Sequence, residues 1–136
     1  MKTLVIVEHD NNSIKGGTYN TITAASKLSG EITLLIAGSS IDSVISEAQS
    51  IDGISNILKC DNKIYSNFIA EDLSELIASN KGEFTHILAP STTFGKNLMP
   101  RVSAKLDTQQ ISDIIAVESD DTFKRPKYLS LIHIWR

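Results

Sequence analysis

The sequence is poor in the residues that form disulfides, metal sites and membrane spans. It has one cysteine, Cys60, which excludes an internal disulfide and, at the end of an apolar run, indicates a buried, inert thiol. Its three histidines and that cysteine show no metal-ligand spacing. No apolar run reaches the roughly 18 residues of a membrane helix. The first strand begins within three residues of the start, so we expect no signal or transit peptide and an intracellular, cytoplasmic protein.

An excess of positive charge is also missing. Thirteen Lys and Arg residues stand against 16 Asp and Glu residues, which gives a formal net charge of -3. Without a basic patch to neutralise phosphates, nucleic acid is not the expected partner. A hydrophobic content of 41% over 136 residues indicates one globular domain. A chain of this length buries roughly two thirds of its unfolded surface on folding.

Five short apolar runs alternate with segments of helical periodicity. The predicted strands are residues 3–8, 32–37, 54–60, 85–89 and 111–117. The first run is typical of a parallel strand covered on both faces, whereas residues 54–60 alternate and suit a position nearer an edge. This order predicts an α/β fold, an open and mostly parallel sheet of about five strands with helices on both faces, of the Rossmann-like and adenine-nucleotide alpha-hydrolase-like kind.

Capping residues and proline predict where the helices begin. We expect Thr18 or Asn20 to cap the first helix and Ser40 to cap the second. Pro100 favours a fourth helix that, unless it kinks, begins no earlier than about Lys96, so that the proline lies in the first turn. The residues predicted on the buried helix faces are Ile22, Ala25, Leu28, Ile41, Val44, Ile45, Ala48, Leu73, Leu76, Ile77, Phe94, Leu98, Val102 and Leu106.

The segment from residue 85 to residue 106 contains the best candidate site. It predicts a short strand, a polar loop and a helix, and the free N–H groups at the start of such a helix bind anions in α/β proteins. The candidate anion-binding residues, which supply hydroxyls, an amide and a cation, are Ser91, Thr92, Gly95, Lys96 and Asn97. The alternative is that the hydroxyls cap the helix and Lys96 is solvated.

Other signatures of catalysis or phosphate binding are incomplete. Gly16 and Gly17 follow the first strand, but the G-x-G-x-x-G pattern is missing and Ala37 stands where an acidic residue would end the second strand. We therefore expect these glycines to serve turn geometry. His9 and His86 each adjoin a strand, and no Ser or Cys nucleophile accompanies them in a strained elbow. No catalytic residue is assigned.

Two acidic groups have a structural interpretation. The first is Glu71, Asp72 and Glu75, and the second is Asp113, Glu118, Asp120 and Asp121. The first group falls early in a predicted helix, where negative charge offsets the helix dipole, rather than forming an acid–base pair. The second suits a solvated turn better than a site for a hard cation.

Four segments of the sequence carry a family resemblance. They are Leu4-Val-Ile-Val-Glu-His, Tyr19-Asn-Thr-Ile-Thr-Ala-Ala, Phe94-Gly-Lys-Asn-Leu-Met-Pro-Arg-Val-Ser-Ala-Lys-Leu and Ile111-Ser-Asp-Ile-Ile-Ala-Val. In this order they resemble the N-terminal domain of the alpha subunit of electron transfer flavoprotein. The resemblance runs to about Pro126, so we expect a domain of residues 1–126. Residues 127–136 depart from the family, and we interpret them as an aberrant tail; a short added edge strand is the alternative.

The resemblance implies an electron carrier rather than an enzyme. In this family the alpha subunit pairs with a beta subunit, and FAD carries electrons from acyl-CoA and related dehydrogenases to a membrane quinone reductase or another acceptor. The FAD-binding domain would follow this one, so we expect the chain alone to bind no FAD and to act as a scaffold and subunit interface. Eukaryotic relatives would lie in the mitochondrial matrix.

Loop 91–97 leaves a second function open. The beta subunit of such flavoproteins holds AMP at the corresponding loop, which implies a nucleotide-site geometry retained here without its ligand. The competing hypothesis is a stand-alone adenine-nucleotide-binding module that resembles universal stress proteins. Of their G-x-x-G-x(9)-G-[ST] pattern, only Gly95 is found here.

Overall fold

A computed structural model of the chain describes residues 2–82, 84–107, 116–119 and 122–124. In chain order, the elements are β1 (Lys2–Ile6), α1 (Gly16–Ala25), β2 (Glu31–Gly38), α2 (Asp42–Gln49), β3 (Asn56–Asp61), α3 (Ala70–Ser79), β4 (His86–Leu88), α4 (Thr93–Leu106), β5 (Ala116–Ser119) and β6 (Thr122–Lys124). A short 3-10 turn, Lys63–Tyr65, lies between β3 and α3. Strands and helices alternate through α4, as the sequence predicts.

Four strands form one parallel sheet in the order β3-β2-β1-β4. In the described part of the chain β1 and β2 are therefore central, and β3 lies at an edge, as its alternating sequence predicts. The predicted fifth strand, residues 111–117, lies mostly outside the described residues. Its last two residues belong to β5, which pairs antiparallel with β6 in a separate two-stranded sheet. The predicted domain boundary near Pro126 and the tail 127–136 also lie outside the described residues.

The sheet is covered on both faces because alternate residues of its central strands point to opposite sides. One core joins the strands to α1 and α2 through Val5, Val7, Ile32, Leu34, Ile36, Ile22, Ala25, Ile41, Val44 and Ala48. The other joins them to α3 and α4 through Leu4, Ile6, Leu35, Ala37, Ala70, Leu73, Ile77, Leu98 and Val102. This arrangement confirms the predicted α/β class and explains the unbroken apolar runs, since each strand residue meets a helix on one face or the other.

The start of α1 differs from its prediction. The helix begins at Gly16, and its N-cap is Lys15, which makes no side-chain capping bond. Thr18 lies inside the helix, where its fully buried hydroxyl accepts the Glu8 N–H at 2.9 Å and donates to the Glu8 carbonyl at 3.2 Å. The prediction that Thr18 or Asn20 caps the helix is wrong, because Thr18 bonds instead to Glu8, in the connection after β1.

The cap of α2 comes from a distant strand. Its N-cap position is Ile41, and Ser40, the predicted cap, has a positive φ of 55° and makes no such bond. The Asp61 carboxylate at the end of β3 accepts the N–H groups of Ser40 at 2.9 Å and Ile41 at 3.3 Å. Two donors near the start of the helix are thus satisfied by a residue about twenty positions away, so a local capping rule gives the wrong residue here.

Helix α4 begins earlier than its proline suggests. It starts at Thr93 and contains Pro100 in its interior. Pro100 has no N–H to donate to the carbonyl four residues before it, which weakens the helix at that turn. Leu98 and Val102, at 1% and 2% exposure, flank the proline and bury the helix against the sheet. Tertiary packing therefore outweighs the local cost, and the prediction of a start near Lys96 is wrong.

The edge strand β3 carries a charge near its middle. The Lys59 ammonium lies 2.8 Å from the carboxylate of Asp42 at the start of α2, and both side chains are exposed. The pair connects the strand to its neighbouring helix, and such an exposed ion pair contributes less than about 1 kcal/mol.

Thr3 supplies a stability test of the central strand. Its side chain is 1% exposed, and its hydroxyl oxygen has no hydrogen-bond partner among the residues that the structure describes. Replacing the hydroxyl by a methyl group removes an unsatisfied buried polar atom, so Thr3→Val should raise the free energy of unfolding by about 1 kcal/mol in urea denaturation. The matched control is Thr18→Val, which removes a satisfied hydroxyl and should lower it by about 1–3 kcal/mol. Equal losses in the two variants would contradict this account.

Candidate functional site

The candidate anion-binding loop lies between β4 and α4, at the carboxyl end of the parallel sheet. Of the five predicted residues, Ser91 and Thr92 precede the helix, whereas Gly95, Lys96 and Asn97 lie within its first turns. Ser91, Lys96 and Asn97 are exposed, and Gly95 is buried. The Lys96 N–H donates to the Thr92 carbonyl at 2.8 Å, which is the first backbone bond of the helix. The structure thus brings all five residues to one helix start.

Gly95 is required by a close backbone approach. A Cβ atom built on it would lie 1.8 Å from the carbonyl oxygen of Pro90 and 3.7 Å from the Cβ of Ala89. Real side-chain atoms never approach a carbonyl oxygen so closely, so only glycine fits where the first turn of α4 crosses the end of the loop. This packing requirement explains the residue without any ligand.

Thr92 faces a carboxylate. Its hydroxyl donates to Oε1 of Glu8 at 2.9 Å and makes no capping bond to the helix. The alternative that this hydroxyl caps α4 is therefore wrong for Thr92. A bound anion that used Thr92 would meet the Glu8 charge, and two like charges about 4 Å apart repel by about 4 kcal/mol near a protein surface. Anion binding by this loop stays a prediction, and the position of Glu8 opposes it.

The two glycines after β1 also have a packing explanation. Gly16 and Gly17 are the first residues of α1 and neither has a positive φ, so the expectation that they serve a turn is wrong. A Cβ on Gly17 would lie 3.3 Å from Cβ of Pro90 and 3.4 Å from Cγ2 of Thr92, whereas Gly16 has nothing within 4 Å. Gly17 thus lets the start of α1 pack closely against the candidate loop.

His9 is a buried polar residue at the carboxyl end of the sheet, and the sequence assigns it no role. It is 3% exposed, and its Nε2 donates to the carbonyl of Ala37 at 2.8 Å. Its Nδ1 accepts the N–H of Asn11 at 3.0 Å, so the ring is neutral with its proton on Nε2. Burial lowers the pKa of His9, and the Ala37 bond and the charge of Asp10 oppose that shift.

Asn11 extends this network to two further loops. Its side-chain amide donates from Nδ2 to the Ser66 carbonyl at 3.1 Å, and its Oδ1 accepts the Ser39 N–H at 3.1 Å. The residue has a φ of 70°, a left-handed conformation that Asn tolerates better than most residues. The ring of Phe68 contacts His9 edge-on, with centroids 5.0 Å apart and an interplanar angle of 89°. No local sequence pattern signals these contacts, because their partners lie as far as 55 positions along the chain.

The acidic residues of α3 form no reactive centre in the described ranges. Glu71 and Asp72 lie in the first turn of α3, as predicted. Glu71 lies 3.9 Å from Arg101 on α4, and Glu75 pairs with Lys105 of the same helix at 4.0 Å. Such exposed pairs join the two helices weakly.

The remaining candidates for chemistry are isolated from one another. Cys60 is half-buried in β3, where burial raises the pKa of its thiol and disfavours the reactive thiolate. His86 is half-buried at the start of β4, with Nδ1 3.0 Å from the hydroxyl of Thr85. In residues 2–82 and 84–107 and the two short strands, no three His, Cys, Asp or Glu side chains come close enough to hold a metal ion.

A small interior cavity of the described residues is not a flavin site. A cavity between the sheet and α3 has a volume of about 10 Å³, the size of a single water, and Phe68, Leu73 and Phe94 are among its apolar lining residues. It offers neither the space nor the hydrogen-bonding groups that a flavin ring needs. The helix start where a pyrophosphate would bind instead faces the Glu8 carboxylate.

Among the described helices none has the length and apolar character needed to cross a membrane.

Comparisons with known proteins agree on one family. The family model described as the electron transfer flavoprotein domain matches residues 3–133. The chain is 44% identical over 128 residues to the electron transfer flavoprotein subunit alpha of Pseudomonas aeruginosa, a match that covers 94% of this chain and 41% of that protein. It is 42% identical over 133 residues to the mitochondrial subunit alpha of Dictyostelium discoideum, covering 92% of this chain and 38% of that protein.

A further relative gives the same result. The chain is 38% identical over 128 residues to the subunit alpha of Paracoccus denitrificans, covering 94% of this chain and 42% of that protein. The chain thus spans about 40% of the length of the curated relatives it matches. By the extent of the family match and by these identities, the chain belongs to the electron transfer flavoprotein family, among its alpha subunits.

Proposed function

We propose that this chain is the scaffold and subunit-interface domain of an electron transfer flavoprotein alpha subunit. It pairs with a beta subunit, and the heterodimer carries electrons on FAD from flavin dehydrogenases, such as acyl-CoA dehydrogenases, through a quinone reductase to a respiratory acceptor. The observation that carries this proposal is the 44% identity to an alpha subunit over 94% of the chain. We propose a cytoplasmic location for the complex. Relatives from Dictyostelium and Arabidopsis are named mitochondrial.

The domain acts on the electron transfer indirectly. FAD supplies the redox chemistry of such carriers when it is bound. The small apolar cavity and the Glu8 carboxylate at the start of α4 support a domain that binds no FAD by itself. Helices cover both faces of its sheet, which gives the domain a packed core of its own.

The extent of the domain is part of the proposal. We propose that residues 1–126 form the domain and that residues 127–136 are an aberrant tail. The family match extends to residue 133, so the boundary needs a direct test. Resequencing the source locus in independent reads decides it, because an intact stop codon after Arg136 would refute an artefact.

The proposed function is tested by adding ligands and a partner to the purified chain. After incubation with FAD and dialysis, we expect no flavin absorption bands, and calorimetry with AMP and ATP should show no binding. Mixed with the beta subunit of the Pseudomonas aeruginosa relative, the chain should elute with it in size-exclusion chromatography. Retained flavin would overturn the proposal that this domain binds no FAD by itself. Micromolar nucleotide binding without association would favour an adenine-nucleotide-binding module.

A further inference from the structure

We propose that neutral His9 is a pH-sensitive latch, which joins three connections at the carboxyl end of the parallel sheet and releases them on acidification. The three are residues 7–15 after β1, residues 39–41 after β2 and residues 62–69 after β3. This inference concerns the conformation of the domain, and it goes beyond the proposed role as a scaffold. It stands on the hydrogen bonds of His9 and Asn11 and on the burial of the ring.

The latch depends on one unprotonated nitrogen. Nδ1 of His9 accepts the Asn11 N–H at 3.0 Å, while Nε2 donates to the Ala37 carbonyl at 2.8 Å. Protonation of Nδ1 would place its hydrogen against the Asn11 N–H, so that bond is lost. The Ala37 bond survives, because an imidazolium still donates from Nε2.

Asn11 transmits this loss to the other connections. Its amide group bonds to the Ser39 N–H and the Ser66 carbonyl, each at 3.1 Å, so its position fixes the connections after β2 and β3. Gly38 leaves room for the network, since a Cβ on Gly38 would lie 2.5 Å from Asn11 Oδ1 and 2.7 Å from His9 Cε1. The left-handed φ of Asn11 adds a conformational cost that these bonds offset.

The charges around His9 are few. Asp10 is the ionisable group whose charge acts on the ring among the described residues, and it favours protonation. The β2 side presents the neutral Ala37 and Gly38, and the β3–α3 connection presents the apolar Phe68. Burial raises the pKa of Tyr65 in that connection, and the charges of Cys60, Asp72 and Glu75 add to the increase, whereas His9 does not contribute. Asp61 bonds instead to the N–H groups of Ser40 and Ile41. Among the described residues, no carboxylate contacts His9 to stabilise an imidazolium. Burial therefore favours the neutral ring in the closed form.

The sign of the pH dependence follows from the lowered pKa of His9. In the open form the imidazole is solvated and has its ordinary pKa of about 6.5, while the closed form takes up the proton only at lower pH. The open form therefore binds more protons, and closure is weakened as the pH falls below about 6.5. Between pH 7 and pH 5 the ratio of open to closed form should therefore rise, and a closed form that stayed neutral throughout would give the upper limit of about 25-fold.

Amide hydrogen exchange of the whole chain tests the latch. We would measure the protection of the Asn11 and Ser39 amides by NMR at pH 7, 6 and 5, with each rate divided by its intrinsic rate at that pH. Both should be less protected than the Val7 amide, which bonds to Leu35 in the sheet, and the protection of both should fall by more than about 2-fold from pH 7 to pH 5. The Asn80 amide at the end of α3 should change by less than about 2-fold, because its opening does not expose His9.

Two variants separate the latch from a general effect of acid. His9→Gln should abolish the pH dependence at Asn11 and Ser39, whereas His86→Gln should retain it. Protection at Asn11 and Ser39 that does not change with pH in the unmodified chain would overturn the proposal, as would protection equal to that of Val7. The titration of the unmodified chain decides the question even where His9→Gln does not fold. None of these results depends on flavin or on the beta subunit, so the latch can fail while the proposed function stands.

Discussion

Replacing Gly95 by alanine should destabilise the domain by about 3 kcal/mol or more, the upper end of the usual cost of overpacking. The added Cβ would lie 1.8 Å from the carbonyl oxygen of Pro90, and a backbone atom cannot move aside as a flexible side chain can. Either the first turn of α4 unwinds or the end of β4 shifts. Because a domain of this size is stable by only about 5–15 kcal/mol, urea denaturation followed by circular dichroism should show a clearly lowered midpoint.

Gly16→Ala is the matched control for that variant. Gly16 lies in the first turn of α1, and a Cβ there would meet nothing within 4 Å. Alanine is the better helix former, so this variant should be neutral or gain up to about 1 kcal/mol. A Gly95→Ala protein as stable as Gly16→Ala would show that the approach of Pro90 to Gly95 is not as close as described.

Truncating Leu98 in the same helix should have a comparable effect. Leu98 is 1% exposed and packs α4 against β1 and β2 in the second core. Leu98→Ala removes that contact and leaves a cavity next to Pro100, where the helix lacks a backbone bond, so we expect a loss of about 2–5 kcal/mol in the free energy of unfolding.

The matched control for this truncation is Leu76→Ala in α3. Leu76 lies at the border of the same core but is only half-buried, so the same deletion should cost less than half as much. Urea denaturation of the two variants gives the comparison directly. Equal losses would mean that α4 does not depend on Leu98 to stay on the sheet, and the account of how packing tolerates Pro100 would be wrong.

The sheet and its two faces could be predicted from the sequence because a strand that is buried on both faces has mostly apolar residues along its length. The runs around Leu4 and Leu34 are apolar without interruption, and the helices repeat apolar residues at helical spacing, as at Val44 and Ala48. These signals are local and strong. The family resemblance in the segment after Phe94 was likewise confirmed by the comparisons.

The details of the candidate site could not be predicted because they depend on partners distant in sequence. Ser40 looks like a cap, but Asp61 satisfies the start of α2 from another strand. Thr92 looks like a helix cap or an anion ligand, but its hydroxyl bonds to Glu8, which lies 84 positions earlier. His9 lies in a segment that carries the family resemblance, but nothing in that segment predicts its contacts, since Ala37 lies at the end of β2 and Phe68 in the connection after β3. Capping rules describe the chain near a residue, whereas these bonds exist only after the sheet has formed.

The lysine in β3 bears on how the protein aggregates. The outer backbone groups of an edge strand are a template on which the strands of other molecules add, and half-buried apolar residues such as Ile57 and Leu58 make β3 attractive to them. A stacked fibril would place the Lys59 charges of successive copies within about 5 Å of one another, away from Asp42. We therefore expect Lys59 to oppose aggregation through this edge of the described sheet.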